Sequence, residues 1–313
     1  MSESWTGGQY SLYRAVLGTY LFVHFVLESA FLAAWNGPVV LATILTVAAV
    51  SSVLFAIGWH DRPAALLLLL SWVSLSFRTS PILDPGALFV AFLLLAHLFI
   101  PTAPFGSWAA RGRVDPAGDW RLPSWITAVA WLVIFLGFAS WLLQLLRMPL
   151  VDAPGFSPGT VMLLLFAFDP AWIRALRPGS VDRLFYDGTC GMCHGTVRFL
   201  LSEDTSGTAF RFAPLDSDSF RSAVPSDRRA DLPDSVVLLT ADGDLLVRSR
   251  AILVSMKRLG GYWRAIAVVL GVVPRTFADW VYDRIAAVRY KLFRRPDEAC
   301  PVLPPRLRAR FDV

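Results

Sequence analysis

The chain divides into two parts by its pattern of apolar and polar residues. Up to about residue 178, long apolar runs alternate with short polar turns, as is typical of membrane-spanning helices. The pattern predicts six spans, with five as the alternative because Asp169-Pro170 interrupts the last one. The predicted spans lie at about 12–35, 39–58, 64–77, 86–100, 125–146 and 158–175. The third and fourth fall short of the ~20 residues that a perpendicular span needs, so they could also form a re-entrant pair.

From residue 179 onward, short strands and helices replace the long apolar runs. A strand at 183–186 precedes a helix that includes 197–202, and a second strand follows at 208–212. Strands at 235–240 and 245–248 flank the turn Asp242-Gly243 and predict a hairpin, which helices follow up to about residue 293. A βαβ unit, then a hairpin, then a helix is the thioredoxin plan.

The sequence therefore predicts two domains. The first, residues 1–178, is a multi-pass α-helical membrane domain. The second, residues 179–313, is an α/β thioredoxin-like domain with C-terminal helices. A hydrophobic content of 55% and a mean hydropathy of +0.53 favour a membrane protein, and 313 residues leave room for both domains.

The charged residues suggest an orientation and exclude one class of partner. With six spans, five arginines share a side with the C-terminal domain and two lie opposite: Arg14, Arg62, Arg111, Arg113 and Arg121 against Arg78 and Arg147. Positive residues favour the cytoplasmic side, so both termini are expected in the cytoplasm of a cell-membrane protein. With five spans the second domain would lie outside. The net charge of +5 is explained by these arginines and by the C-terminal tail, and no nucleic-acid motif accompanies it.

Two cysteines mark the candidate catalytic site. Cys190 and Cys193 follow the turn Asp187-Gly188, where a buried strand passes into a helix. The free N–H groups and the dipole of a helix start stabilise a thiolate, and this spacing allows a disulfide to close. We expect Cys190 to be the more exposed thiol and the nucleophile, with Cys193 as the resolving thiol. His194, when protonated, would stabilise the thiolates, or it is simply an exposed helix residue.

Other chemistries fit the same motif. Cys190 to His194 also forms Cys-x-x-Cys-His, the attachment sequence of c-type haem, which makes a membrane-anchored cytochrome the alternative function. A structural zinc site normally needs four ligands, and only Cys300 could add to those of the motif, so no metal site is expected. Cys300 is a second resolving thiol, a zinc partner or a structural cysteine.

The segment Tyr186–Cys193 resembles the motif of the DCC family of thiol-disulfide oxidoreductases, Asp-x-x-Cys-x-x-Cys. The similarity extends in order from about Asp182 to Pro301 through 197–200, 234–238, 258–261, 273–275, 282–283, 289–290 and 297–300. It implies a thioredoxin-like fold and exchange with protein or small-molecule thiols and disulfides, without a required cofactor. By the same resemblance, Asp187 would hold a water or shuttle the proton of Cys193; a turn-and-cap carboxylate is the other interpretation. Pro233 would be the counterpart of the cis-proline of thioredoxins, although it lies one residue early.

The N-terminal domain has a less specific resemblance. Ser11–Gly18 is similar to the first span of the HTTM group, membrane domains related to the vitamin K-dependent gamma-carboxylase. Carboxylase chemistry does not carry over, because that enzyme family needs a lysine base and residues 1–180 contain no lysine.

Three ionisable residues of the apolar segments are candidate cofactor ligands. His24 and Glu28 are four residues apart and share a helix face, while His97 lies near the end of the fourth segment. Ionisable groups in a membrane usually serve a function, so the two histidines are candidates for hydrogen-bonding a quinone or ligating a haem. Arg14 is explained by snorkelling to the interface. The expected function is a membrane thiol-disulfide oxidoreductase that contacts lipid and is coupled to a quinone or another lipid-soluble redox partner. A lipid-binding or transport protein with a redox-sensing domain is a further alternative.

Overall fold

The computed structural model describes residues 5–34, 38–79, 85–145, 157–233, 235–292 and 303–312. The chain forms two compact units. The helical unit comprises Tyr10–Arg111 and Trp120–Asp169, and the α/β unit comprises Met1–Gln9, Gly112–Asp119 and Pro170–Val313. Among the described residues, 5–9 and 112–119 thus belong with the C-terminal unit.

The described part of the helical unit contains six apolar helices. They are α1 (Gly7–Ala34, whose first three residues belong to the α/β unit), α2 (Val39–Ile57), α3 (Asp61–Thr79), α4 (Pro85–His97), α5 (Ser124–Leu145) and α6 (Pro158–Ala167). Gly58 ends α2 in the left-handed conformation, with φ of 70°, and the guanidinium of Arg14 occupies the space that a Cβ would need there. Glycine therefore suits this position on both counts.

Two helices among the described residues, α1 and α2, are long and apolar enough to cross a membrane. The six predicted spans are not supported. At 1.5 Å per residue, the 13 residues of α4 and the 10 of α6 extend for about 20 and 15 Å, against a hydrocarbon core of about 30 Å. The first turn of α3 also contains Asp61 and Arg62, which shorten its apolar stretch.

The α/β unit contains a four-stranded mixed sheet. Its strands are β1 (Asp182–Tyr186), β2 (Phe210–Pro214), β3 (Val237–Leu239) and β4 (Leu245–Val247), in the order β2-β1-β3-β4. β1 is parallel to β2 and antiparallel to β3, which is antiparallel to β4. The predicted βαβ unit and hairpin are therefore present, with β2 two residues later than expected. Residues 204–209, which precede β2, are held in a turn, because the Asp204 carboxylate accepts hydrogen bonds from the hydroxyl of Ser206 and the N–H of Ala209.

Helices lie on both faces of the sheet. Those of the α/β unit are α7 (Gly191–Glu203), α8 (Asp218–Ala223), α9 (Ser226–Ala230), α10 (Arg248–Leu259), α11 (Gly261–Leu270), α12 (Arg275–Leu292) and α13 (Pro305–Arg308). One face of the sheet packs with α7, α10 and α13, and the other packs with α8.

The C-terminal residues extend the sheet beyond β2. The N–H of Phe212 donates to the carbonyl of Arg310 at 2.9 Å, and the N–H of Asp312 donates back to Phe212 at 2.9 Å. The guanidinium of Arg310 is buried and pairs with Asp204 at 2.6 Å. The two backbone hydrogen bonds between Phe212 and residues 310–312 cover the outer edge of β2, which would otherwise present unpaired backbone groups.

Candidate active site

The turn after β1 positions the dithiol. The Oδ1 atom of Asp187 accepts hydrogen bonds from both the N–H and the hydroxyl of Thr189, each at 2.8 Å. The N–H of Cys190 donates to the carbonyl of Asp187 at 3.3 Å. Asp187 thus closes a tight turn in the way typical of an Asx residue, and this turn places Cys190 at the start of α7.

Cys190 is the N-cap residue of α7. Its Sγ accepts a hydrogen bond from the N–H of Cys193 at 3.4 Å, so the sulfur faces one of the helix N–H groups that lack an intrahelical partner. A negative charge on this sulfur would be stabilised by that N–H and by the helix dipole. Both cysteines are free thiols in the structure.

The two thiols are equally inaccessible. Cys190 is 1% exposed and Cys193 is 2% exposed, so the expectation that Cys190 is the more exposed thiol is wrong. Both belong to the apolar cluster on one face of the sheet, together with Tyr186, Val197 and Val236. What distinguishes Cys190 is its N-cap position, since Cys193 lies inside the first turn of the helix. A substrate disulfide can reach either sulfur only after a local opening.

The side chain of His194 is hydrogen-bonded to the backbone of the turn that precedes α7. Its Nε2 lies 2.9 Å from the carbonyl oxygen of Gly188, which can only accept, so Nε2 carries the proton and donates it. The ring also packs edge-on against Tyr186, with 5.6 Å between centroids. A haem iron would need this same nitrogen as a ligand, so the haem interpretation requires both the turn and the buried thiols to rearrange.

Asp187 fits the turn-and-cap interpretation, because it is only partly buried and its Oδ1 is engaged by Thr189. The fully buried carboxylate of this region is instead Asp182, at the opposite end of β1. It pairs with Arg258 at 2.9 Å and accepts from the N–H of Ala241 at 2.9 Å. These contacts join α10 and the hairpin to β1.

Tyr282 contributes to the surroundings of the dithiol, a role that the sequence did not reveal. Its hydroxyl accepts from the N–H of Val236, which precedes β3, at 3.2 Å. Because β3 is antiparallel to β1 with Val237 opposite Phe185, Val236 lies at the end of the sheet where the dithiol turn begins. The only signal in the sequence was the pair Tyr282-Asp283 within the DCC resemblance.

Three further expectations for the α/β part concerned Pro233, a metal site and Cys300. None of the peptide bonds in the described residues is cis, and this includes the bond before Pro233. The described residues contain no group of three or more His, Cys, Asp and Glu side chains that could hold a metal ion. Cys300 lies outside the described residues.

In the helical unit, His97 belongs to a buried polar cluster. Its Nδ1 is hydrogen-bonded to the hydroxyl of Tyr10, and its Nε2 lies 3.6 Å from the carboxylate of Asp61. Asp61 also pairs with Arg14 at 3.4 Å. Arg14 is 1% exposed, so the snorkelling interpretation of this residue is wrong. The sequence missed this cluster because its members come from three helices.

His24 lies apart from that cluster. Its ring is half-buried against Trp72, with 4.9 Å between centroids, and Glu28 beside it is exposed. His24 is fourteen residues beyond Tyr10, the α1 partner of His97, which is about 21 Å along the helix axis. The structure therefore does not bring His24 and His97 to one site, and one haem could not take both as axial ligands.

The α/β unit and its dithiol define a class of protein. A βαβ unit and an antiparallel hairpin form one sheet, and a buried Cys-x-x-Cys pair begins the helix after the first strand. This is the arrangement of a redox-active dithiol protein.

Comparisons with known proteins identify the family. A family model described as DCC1-like thiol-disulfide oxidoreductase matches residues 184–295. Uncharacterized protein YuxK of Bacillus subtilis (strain 168) is 34% identical over 133 residues, which cover 41% of this chain and 91% of that protein. A chloroplastic DCC family protein of Arabidopsis thaliana is 29% identical over 114 residues, covering 36% of this chain and 66% of that protein. No solved structure matches the chain. Through its α/β unit, the chain belongs to the DCC1-like thiol-disulfide oxidoreductase family.

Proposed function

We propose that the chain is a membrane-associated thiol-disulfide oxidoreductase whose thioredoxin-like α/β unit reduces disulfides through Cys190 and Cys193. The observation that carries the proposal is the hydrogen bond from the Cys193 N–H to the Cys190 sulfur at the start of α7. This contact places a backbone N–H donor against the sulfur that would act as the nucleophile, and the thiolate is the nucleophilic form of a cysteine. Cys193, three residues on, is close enough in sequence to complete the exchange.

The proposed reaction proceeds in two exchanges. The Cys190 thiolate attacks one sulfur of the substrate disulfide, the substrate S–S bond breaks, and one substrate thiolate leaves. Cys193, deprotonated, then attacks the Cys190 sulfur of the mixed disulfide and releases the second substrate thiolate. The chain ends with a Cys190–Cys193 disulfide and the substrate has gained two electrons. An external dithiol must return the pair to the reduced state for another turnover.

A trapping experiment tests this assignment on the full chain. We expect Cys193→Ser to accumulate mixed disulfides with a substrate such as insulin, because the resolving thiol is missing. Cys190→Ser should accumulate few, and Cys300→Ser should behave like the wild type. Equal trapping by Cys190→Ser and Cys193→Ser would contradict the assignment of nucleophile and resolver. Reduction of only one equivalent of disulfide, without turnover in the presence of excess dithiothreitol, would instead indicate a redox sensor.

We further propose that the dithiol faces the cytoplasm in a multi-pass cell-membrane protein. Support comes from the residues at the ends of α1 and α2, the two helices long and apolar enough to span a membrane: the connecting residues 35–38 contain no Lys or Arg, whereas Arg62 follows α2 on the side of the dithiol. A membrane-impermeant maleimide should leave Cys190 and Cys193 unlabelled in intact cells and label them after permeabilisation and mild denaturation. The denaturation step is needed because both thiols are buried. Labelling in denatured but unpermeabilised preparations would place the dithiol outside.

The membrane domain is proposed to resemble the HTTM group and to bind a quinone near His24 and Glu28. The segment Ser11–Gly18 and the two ionisable residues on one face of an apolar helix support this. We expect protein purified in detergent to contain a quinone that organic solvent extracts. Added quinone should oxidise the Cys190–Cys193 pair in the full chain, and His24→Ala should weaken this response while leaving insulin reduction intact. An unchanged response would remove His24 from the mechanism.

A further inference from the structure

The connection between α11 and α12 exposes an unusual run of apolar side chains. All ten residues from Val268 to Phe277 are exposed, and seven of them are Val, Leu, Pro or Phe. Val272 is 83% exposed and Val269 is 69% exposed. We call this run, together with Trp280 of α12, the α11–α12 corner. Consecutive bulky apolar residues at the surface indicate a binding surface, since scattered single ones would be ordinary.

Cationic side chains lie beside these apolar residues. The guanidinium of Arg284 lies 5.4 Å from the centre of the Trp280 ring. The side chain of Arg275, within the corner, is 65% exposed, and it pairs with Asp279 of α12 at 3.3 Å. Tryptophan and arginine next to aliphatic side chains are typical of segments that rest at the boundary between lipid headgroups and acyl chains. Cationic groups at that depth favour anionic lipids.

The corner is held at the surface by contacts behind it. At its base, Ala267 is fully buried. Asp279 accepts a hydrogen bond from the N–H of Ser249 at 3.3 Å, and Asp283 pairs with Arg248 at 3.1 Å. These contacts join α12 to the start of α10, so the apolar corner projects from an anchored helix pair.

The geometry of the helix pair opposes a full crossing of the membrane. α11 and α12 are bent by 113°. The ten residues of α11 extend for about 15 Å, half of a hydrocarbon core of about 30 Å. α12 contains Asp279 and Asp283, and each charge at the centre of a bilayer would cost about 3 kcal/mol. The pair is therefore suited to lie in the interface.

We propose that the α11–α12 corner docks on the surface of an anionic lipid bilayer. A bilayer is favoured over a protein partner because α1 and α2 of the same chain are long and apolar enough to span a membrane. Trp280 and Arg275 of the corner, with Arg284 beside them, also match lipid headgroups. Docking would fix how the α/β unit is oriented at the membrane surface, in addition to the covalent link through the chain. This proposal does not depend on the thiol chemistry.

The test uses the full chain in nanodiscs, with all native cysteines replaced by serine and one probe cysteine added. In Val272→Cys, an environment-sensitive fluorophore is attached to the new cysteine in the corner. Ser222→Cys is the matched control, because Ser222 is exposed on α8, which packs on the opposite face of the sheet. Spin-labelled lipids then quench the probe, with the label either near the headgroups or deep in the acyl chains. Discs of phosphatidylcholine alone are compared with discs that also contain phosphatidylglycerol.

The expected result is a blue-shifted Val272→Cys probe that the shallow label quenches about twofold more than the deep one, with stronger quenching in anionic discs. The Ser222→Cys probe should remain water-exposed and unquenched. Deeper quenching than shallow would show that the pair spans the bilayer and would overturn the proposal. Equal quenching in both lipid mixtures would overturn the anionic preference. A Val272→Cys probe that neither label quenches would overturn the proposal that the corner docks on a bilayer. Cross-linking between Val272→Cys chains would then identify a second copy of the chain as the partner.

Discussion

The hydroxyl of Tyr282 in α12 accepts a hydrogen bond from the backbone N–H of Val236 at 3.2 Å. Val236 is buried in the same apolar cluster as Cys190 and Cys193. This contact ties a C-terminal helix to the strand end beside the dithiol. It offers a candidate for the contact that must break when a substrate reaches the buried thiols.

Removing that hydroxyl should have two measurable effects. In Tyr282→Phe, the buried N–H of Val236 loses its acceptor, and we expect a loss of about 1–3 kcal/mol in the free energy of unfolding. If α12 takes part in the opening, maleimide labelling of the native thiols should accelerate by roughly five- to 150-fold in a Cys300→Ser background, the factor that corresponds to this free energy. A loss of stability with unchanged labelling would show that another segment opens the site.

Alanine and serine should rank in opposite orders at the two cysteines. At Cys190, serine keeps an acceptor for the N–H of Cys193 and alanine does not, so the serine variant should be more stable by about 1 kcal/mol. At Cys193, inside the helix and the apolar core, serine buries a hydroxyl and has the lower helix propensity, so alanine should be the more stable variant. Urea denaturation of the four variants measures both differences. The same order at both positions would mean that Cys190 does not act as a cap.

The ion pair between Asp182 and Arg258 should be essential for folding. Both side chains are at most 1% exposed, and Arg258 also donates to the carbonyls of Leu176, Arg177 and Ser180. Arg258→Met leaves a buried carboxylate without its cation, and we expect a loss of about 3–5 kcal/mol in urea denaturation. Arg250→Met, at an exposed position of the same helix, should change stability by less than about 0.5 kcal/mol. Comparable effects in the two variants would contradict the assigned role.

Glu203 should make stability depend on pH. Burial raises the pKa of this carboxyl above its usual 4.5, although hydrogen bonds from Thr6, Trp263, Gly8 and Ser202 oppose that effect. As the pH rises above 4.5, the unfolded chain releases the proton while the folded chain retains it. The stabilising contribution is therefore present below that pH and is lost as the pH rises through the folded pKa.

Glu203→Gln removes this titration. We expect the variant to gain stability relative to the wild type as the pH rises above 4.5, as measured by thermal unfolding in detergent. Asp227→Asn, at an exposed position, controls for the loss of a negative charge. A constant difference between Glu203→Gln and the wild type across this range would show that the folded and unfolded pKa values coincide.

Local sequence was sufficient for the parts of the α/β unit whose contacts are close in the chain. The turn Asp187-Gly188, the strand before it and the helix after it all depend on neighbouring residues, so the position of the dithiol was predictable. The βαβ unit and the hairpin followed for the same reason, because short connections leave few topologies. The family resemblance rested on the same residues and was confirmed by the match to residues 184–295.

Tertiary structure decided the burial and pairing of the polar groups. The equal burial of Cys190 and Cys193 depends on apolar residues from β1, β3 and α13, which are far apart in sequence. The cluster of Tyr10, Arg14, Asp61 and His97 likewise joins three helices, so the spacing of these residues along the chain does not predict their contacts. Apolar runs alone predicted six spans, but the helix ends depend on turns and buried charges such as Asp61. The periodicity of apolar residues predicts which residues share a face of a helix or strand. Burial of a residue depends on which other elements pack against that face, and this packing is determined only in the folded chain.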